Sequence, residues 1–563
     1  MQWCMIEQPE RSLIDHLTQV LGVPFIIAKI LATRRIESFE QARKFFRPRW
    51  EDAHDPFLMQ DMERGAMRII RALKEHEKIL IYGDYDVDGI TAVSLLYLFL
   101  RNHGADVQYY IPNRMREGYG LSASGIQKAV QARASLLVTV DCGITAVEEV
   151  AEAGRLGIDV IVSDHHEPMD RIPAAAAVLD PKRPGCQYPF KELAGVGVAF
   201  KLVQAVSQRL GNPPEACHDF ADLVALGSAA DIVPLVDENR VIVSKGLEDI
   251  NRFERVGINA LAETAGLKGK RIGTGQLVFI VAPRINAVGR LGNAERAVQL
   301  LVTQSAEEAA EIAQVLEAEN RNRKSIDEET FSEALALMES EYKEQTDRAV
   351  VLARSGWHSG VIGIVASRIV EQVYRPTIMI GVEEGIGKGS ARSIPDFDIY
   401  TALKRCEQYL IGFGGHKYAA GLVIAQEQIP AFREAFKQVA AETIRSEDLV
   451  QKVFVDAEIE LADINDKFIR LLNLFSPFGP QNMRPVFLSR NLQVVGTPQL
   501  VGRNHLKFKV RQGNHVYEAI GFNLGELLYR LSPGESNLDM VYVIEENQWD
   551  GNTRVQLRVK DLV

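Results

Sequence analysis

The chain has 563 residues, past the roughly 250–300 at which a single core stops growing, so three or four domains are expected. With 46% hydrophobic and 25% charged residues it has the composition of an ordinary soluble globular protein, and no apolar run reaches the ~20 residues of a membrane span. The net charge of −11 counts mildly against a nucleic-acid partner, yet a basic footprint is local, and a carboxylate metal site itself drives the sum negative. Met1–Leu21 carries early charges and lacks a basic-then-apolar signal pattern. Cys4, Cys142, Cys186, Cys217 and Cys406 are scattered without a C-x-x-C pair. A cytoplasmic protein with reduced thiols is expected, with neither a disulfide framework nor a zinc ribbon.

Residues 1–55 read as short helices ending in the basic-aromatic run Phe45-Phe46-Arg47-Pro48-Arg49-Trp50. A helical cap packed on the next domain is favoured there over a DNA-contacting arm. From 56 to 300, short apolar strands alternate with helices. Lys78–Tyr82, Leu136–Val140 and Asp159–Val162 are nearly all apolar, as strands buried on both faces of a parallel sheet are. This predicts a doubly wound α/β domain with its ligands at the carboxyl ends of the strands. Within the connector 301–345, Ser305 to Tyr342 lacks Pro and Gly and predicts one helix roughly 55 Å long, opened by a capping box of Ser305 and Glu308. Its middle, Glu317 to Lys324, is polar on all sides, as in helices that bridge domains through solvent. Residues 346–445 form a second α/β unit with glycine-rich turns. From 446 to 563, apolar–polar alternation in His505–Arg511 and Val555–Lys560, with turn signals at Gly513-Asn514 and Asp550-Gly551, predicts an antiparallel β domain built as a small barrel.

Four carboxylate-bearing segments follow predicted strands or apolar runs. Gly83-Asp84-Tyr85-Asp86-Val87-Asp88-Gly89 crowds three aspartates into five residues. One would be a helix cap, but three repel one another unless cations sit among them, and the flanking glycines suit a tight turn. Asp141-Cys142-Gly143 follows the strand ending at Val140, and Asp164-His165-His166-Glu167 follows the one ending at Val162. Adjacent histidines can supply one neutral imidazole ligand and one neighbour for the substrate. Asp231 follows the apolar run Leu223–Ala230. Mixed carboxylate and imidazole ligands suit Mn²⁺ or Mg²⁺ better than structural zinc, and two such ions would serve phosphoryl chemistry.

The Asp164-His165-His166 signature, with the Asp-x-Asp run, Asp141 and Asp231, resembles the DHH phosphoesterase family, and Gly412–Gly421 resembles its associated domain. Ile111–Arg114 with Glu117–Gly120, Pro283–Ala287 with Gly289–Leu291, Gly356–His358 with Gly360–Gly363, and Trp549–Gly551 with Val555–Leu557 are similar to the branch that degrades single-stranded DNA from its 5′ end. That resemblance implies two metal ions held by Asp84, Asp86, Asp88, Asp141, His165 and Asp231, with Asp141 as the bridge, His166 on the scissile phosphate and Asp164 orienting its neighbours. It implies Arg114, Arg290, Ser390, Arg392, Gly414, Gly415 and His416 as holders of the 5′-phosphate and backbone. In the terminal domain, which resembles an oligonucleotide-binding fold, Arg503, Lys507, Lys509 and Arg511 would track the strand, and Phe508 or Tyr517 would stack a base.

The expected activity is 5′→3′ hydrolysis of single-stranded DNA to mononucleotides in repair and recombination. A helicase and a single-strand-binding protein are the expected partners, with no membrane and a monomeric chain. The alternatives are an enzyme of short oligonucleotides or cyclic dinucleotides, which would lack the terminal β domain, and a non-catalytic scaffold, against which the retained aspartates and histidines argue.

Overall fold

The computed structural model describes residues 1–113, 117–118, 120–291, 293–534, 537–549 and 552–563, for 290–291, 548–549 and 552–553 the backbone only. The chain divides into two compact units. The larger comprises Trp3–Gly289, Asn293–Gln314 and Val453–Val563, and the smaller is mainly Val315–Lys452. Among the described residues no single helix is long and apolar enough to cross a membrane.

The larger unit begins with β1 (Gln2–Met5), α1 (Arg11–Leu21), α2 (Phe25–Thr33) and α3 (Phe39–Phe46). This segment is partly strand, and it does more than cap the domain that follows. Leu17, Ile27 and Leu31 are buried in one core with Leu461, Phe468, Phe487 and Leu557 from the far end of the chain. Trp50 stacks on His218, 4.2 Å between ring centroids, so it is spent on packing.

After α4 (Met62–Lys74) come β2 (Lys78–Gly83), α5 (Val87–Asn102), β3 (Asp106–Tyr110), α6 (Ala123–Ala132), β4 (Leu136–Val140), α7 (Val147–Arg155), β5 (Asp159–Ser163) and β6 (Ala177–Leu179). The five strands form an all-parallel sheet in the order β3-β2-β4-β5-β6. The apolar runs become strands because both faces are covered; every residue of β4 is buried. The chain leaves β2 in one direction to β3 and then crosses to β4 on the other side. The crevice at the carboxyl ends of β2 and β4 is therefore a topological switch point, where doubly wound sheets bind ligands. Helices α8 (Gly195–Arg209), α9 (Ala221–Ala230), α10 (Asp237–Ile250) and α11 (Val256–Thr264) follow. A π-helical turn, Leu277–Val281, then runs into α12 (Ala282–Leu291), which precedes α13 (Glu295–Val302).

The predicted connector is α14 (Ala306–Glu341). Ser305 Oγ accepts the Glu308 N–H at 3.2 Å, but Glu308 turns its carboxylate to Gln299 and Thr303, so only half of the capping box forms. Its polar middle is not solvated all round, since Asn320 is only 1% exposed. The smaller unit contains β7 (Val350–Ser355), α15 (Ile362–Val373), β8 (Thr377–Glu383), β9 (Ile386–Arg392), α16 (Ile399–Lys404), β10 (Gly412–Gly415), β11 (Ala419–Ala425) and α17 (Ile429–Thr443). Its sheet runs β10-β11-β9-β8-β7, with only β7 and β8 parallel.

The larger unit closes with β12 (Lys452–Val455), β13 (Ala457–Glu458), α18 (Asp466–Asn473), β14 (Val486–Val501), β15 (His505–Gln512), β16 (His515–Gly521), β17 (Leu538–Trp549) and β18 (Asn552–Leu562). Strands pair in the order β14-β15-β16-β18-β17, and β17 returns to β14, which closes a five-stranded barrel. Gly513-Asn514 makes the β15–β16 turn; Asp550-Gly551 lies outside the described residues.

One side chain ties these parts of the larger unit together. Arg240 on α10 is buried and donates to the carbonyls of Phe45, Leu474, Phe475, Ser476 and Pro477, with its guanidinium 3.8 Å from the Phe45 ring centroid. Truncation would leave buried acceptors without their donor, each costing about 1–3 kcal/mol. Arg240→Leu is therefore expected to destabilise the protein by at least about 3 kcal/mol. A thermal melt superimposable on that of the parent would refute this role.

Candidate metal centre

The loop after β2 carries Asp84, Asp86 and Asp88 into the switch-point crevice. Asp86 caps α5, accepting the Asp88 N–H at 2.9 Å and the Gly89 N–H at 3.1 Å. Asp88 is 1% exposed and accepts from Gly195 (2.6 Å) and Val196 (2.8 Å), the first backbone N–H groups of α8. Gly83 and Gly89 are not left-handed turn residues. A Cβ on Gly89 would lie 2.5 Å from the Asp84 carbonyl, so close approach is what requires glycine there. Gly195 serves the same purpose, since its Cβ would lie 2.6 Å from the Asp141 side chain.

Asp141, at the end of β4, sits in the left-handed region at φ 59°, a conformation aspartate tolerates better than most residues. Asp164, at the end of β5, is consumed by its own loop. It accepts from Ile144 N (2.9 Å), His165 N (2.7 Å), His166 N (3.2 Å) and His166 Nδ1 (2.7 Å). Asp231 differs from the other aspartates, because its apolar run is a helix and it sits at the carboxyl end of α9. The next residue, Ile232, is 59% exposed at φ 60°, a strained position for a β-branched side chain that costs of order 1–3 kcal/mol.

These elements converge. Asp84, Asp86 and Asp141 bring one oxygen each within 4.8 Å of one another; so do the ligand atoms of Asp88, His165 and Asp231, and those of Asp141, His165 and His166. His165 Nε2 lies 3.1 Å from Asp141, 3.7 Å from Asp88 and 3.7 Å from Asp231. At such spacing each carboxylate pair repels by roughly 3 kcal/mol at an effective dielectric of 20. Burial, then the neighbouring carboxylates, push Asp88 and Asp141 well above the usual range, and burial with Asp86 raises Asp231 to about 7. The histidines diverge. Burial, with the charge of His166, lowers His165 to about 3, so it is neutral. For His166 burial is outweighed by the hydrogen bond and charge of Asp164, which raise it to about 9. His165 presents Nε2 to the carboxylates of Asp88, Asp141 and Asp231. A neutral imidazole ringed by carboxylates fits divalent cations taken by oxygen and nitrogen ligands.

Tyr82 does not belong to this set, because its hydroxyl donates to the Gly120 carbonyl at 2.8 Å. In the smaller unit, Arg392 donates to Ser390 Oγ at 3.1 Å, and a Cβ on Gly363 would meet both side chains. Gly414, Gly415 and His416 are exposed there. Arg114 and the Arg290 side chain lie outside the described residues. On the barrel, Arg503, Lys507, Lys509 and Arg511 are exposed. Phe508 is 4% exposed and packs in the barrel core, so it is not a base-stacking surface, and Tyr517 donates to the Ile464 carbonyl at 2.5 Å. The Gly195 and Val196 amides and the loop Asp180–Arg183 were not singled out from sequence. A strand-end signal, Val178-Leu179-Asp180, was present.

Residues 78–228 match the DHH family N-terminal domain, 346–442 the DHHA1 domain and 455–561 the RecJ OB domain. The single-stranded-DNA-specific exonuclease RecJ of Bacillus subtilis is 40% identical over 100% of this chain and 70% of its own length. RecJ of Thermus thermophilus in complex with Mn²⁺ superimposes at TM-score 0.86 with 30% identity, over 100% of this chain and 79% of that one. Its Mg²⁺ complex gives 0.79 with 28% identity, covering 100% and 78%. Sequence, domain order and fold agree along the whole chain, which belongs to the RecJ family of DHH-type proteins.

Proposed function

We propose that this chain is a metal-dependent exonuclease that hydrolyses single-stranded DNA 5′→3′ to mononucleotides. The observation that carries it is the convergence of five aspartates and two histidines at the switch point, with one histidine neutral and the other cationic. Asp84, Asp86, Asp88, Asp141, His165 and Asp231 would hold two Mn²⁺ or Mg²⁺ ions, with Asp141 shared between them. Bound there, the ions would activate a water and draw charge from the phosphate. His166, fixed by Asp164 through Nδ1, would donate a charge-assisted hydrogen bond to a phosphate oxygen. Water adds to phosphorus, the bond to the 3′-oxygen breaks, the terminal nucleotide departs, and the shortened strand keeps a 5′-phosphate.

Arg392 with Ser390, together with Arg114, Arg290, Gly414, Gly415 and His416, would hold the terminal phosphate and adjoining backbone. Arg503, Lys507 and Lys509 would follow the strand on the barrel. Action on strand ends in repair and recombination, beside a helicase and a single-strand-binding protein, fits this activity.

With Mn²⁺ and single-stranded DNA labelled separately at each end, the first product is expected to be the 5′-labelled mononucleotide, with a blunt duplex resistant. Because even outer-shell changes at metal sites cost 10–100-fold, Asp141→Ala should lower the rate by at least about 100-fold. Early release of the 3′ label would refute the polarity. The raised aspartates also give a sign for pH. Metal-free, the site holds protons near neutrality that the ions must displace, so Mn²⁺ affinity should fall as pH drops through about 7. Calorimetry in buffers of different ionisation enthalpy should register net proton release, and a pH-independent affinity would contradict it.

A further inference from the structure

The loop after β6 has no part in the site as described, yet it is fastened to the turn that bears both histidines. Leu179 O, at the end of β6, accepts the Asp164 N–H at 2.9 Å, which joins this loop to the turn bearing both histidines. Asp180 is fully buried, and its Oδ1 accepts the Lys182 N–H at 2.7 Å, a turn that sets the direction in which the Lys182 side chain departs. Arg183 then locks the other side, donating at 2.6 Å to Asp61 Oδ2 and at 3.2 Å to the Val178 carbonyl. Between two anchored neighbours, Lys182 extends to the histidine turn, where its Nζ lies 3.5 Å from Glu167 Oε1. The Lys182 side chain is 20% exposed and that of Glu167 69%, so the pair is a weak, solvent-screened one that an incoming anion can displace. The ammonium lies close enough to act electrostatically on His165, Asp180 and Asp231. A cation held beside a carboxylate cluster serves no metal ion, which it would repel. It suits the anion those metal ions attract.

On the reading of the cluster as a phosphodiester site, we propose that Lys182 is a further substrate-binding residue, whose ammonium leaves Glu167 to take a non-bridging oxygen of the phosphate held at the carboxylate cluster. Lysine suits the task as a compact charge on a flexible stem, whereas Asp180 and Arg183 act as positioning residues for its loop.

The test is equilibrium binding of a 5′-phosphorylated oligodeoxythymidine to the full chain over a range of salt. It is done with Ca²⁺ in place of Mn²⁺ to prevent digestion, and the parent is compared with Lys182→Gln and Lys182→Arg. Loss of one phosphate contact should weaken binding roughly tenfold and make the log–log salt slope shallower by about 0.7 in Lys182→Gln, with Lys182→Arg close to the parent. Mn²⁺ affinity, measured in Lys182→Gln, should be unchanged or tighter. An unchanged slope overturns the proposal. So does weakened Mn²⁺ binding without a slope change, which would mark Lys182 as support for the metal ligands. Failure of the parent chain to cleave DNA bears on the exonuclease reading alone, because the binding slope still decides for or against Lys182.

Discussion

Mutual repulsion among buried carboxylates is the constraint around which the larger unit is organised. Five aspartates meet at the ends of β2, β4 and α9, and each pair within reach opposes the next by energies comparable to a good hydrogen bond. The fold meets this cost by fixing the carboxylates with backbone donors before any ion arrives. Asp86 is held by the first turn of α5, Asp88 by the first amides of α8. Helix N-termini favour the charged form there, whereas the carboxyl end of α9 opposes it at Asp231. Glycines at 83, 89 and 195 let backbone and side chains approach where a Cβ would collide. The result is a site whose geometry is held by the protein and whose charge balance is left to cations.

The adjacent histidines differ in charge. His165 is kept neutral by burial, and His166 gives Nδ1 to a buried aspartate and carries charge. One chemical group is thus neutral in one position and cationic in the next, with Asp164 separating them. Away from the site, Arg240 holds the N-terminal helices and the barrel against the parallel-sheet domain by satisfying carbonyls from both. The N-terminal segment and the barrel share one core, so the ends of the chain are folded together although they are far apart in sequence.

Much of the site was legible before folding, because its signals are local. The Asp84–Asp88 run, Asp141 and Asp164–His166 each follow an uninterrupted apolar strand, and a parallel sheet brings strand ends to one edge. The barrel alternation was legible too, and it places Phe508 inward with Leu506 and Val510. Assigning that ring to base stacking set its residue type above its period of two. Asp231 was found by type but its element was not, since a short apolar run reads alike as buried strand or buried helix. Gly195, Val196 and Lys182 were missed because an amide at a helix start and a lysine in a loop gain their roles only from what lies opposite.

By itself, the sequence determined which segments become strands and where carboxylates and imidazoles leave them, because hydrophobic period and strand-end chemistry are properties of a few consecutive residues. It also carried the resemblance that names the family. Only the tertiary structure decided which amides hold Asp88, which histidine carries the proton, and that a lysine beyond β6 reaches the histidine turn. Charge, hydrogen bonding and desolvation at such a site depend on distances between residues remote in the chain, and those distances exist only once the sheet has formed.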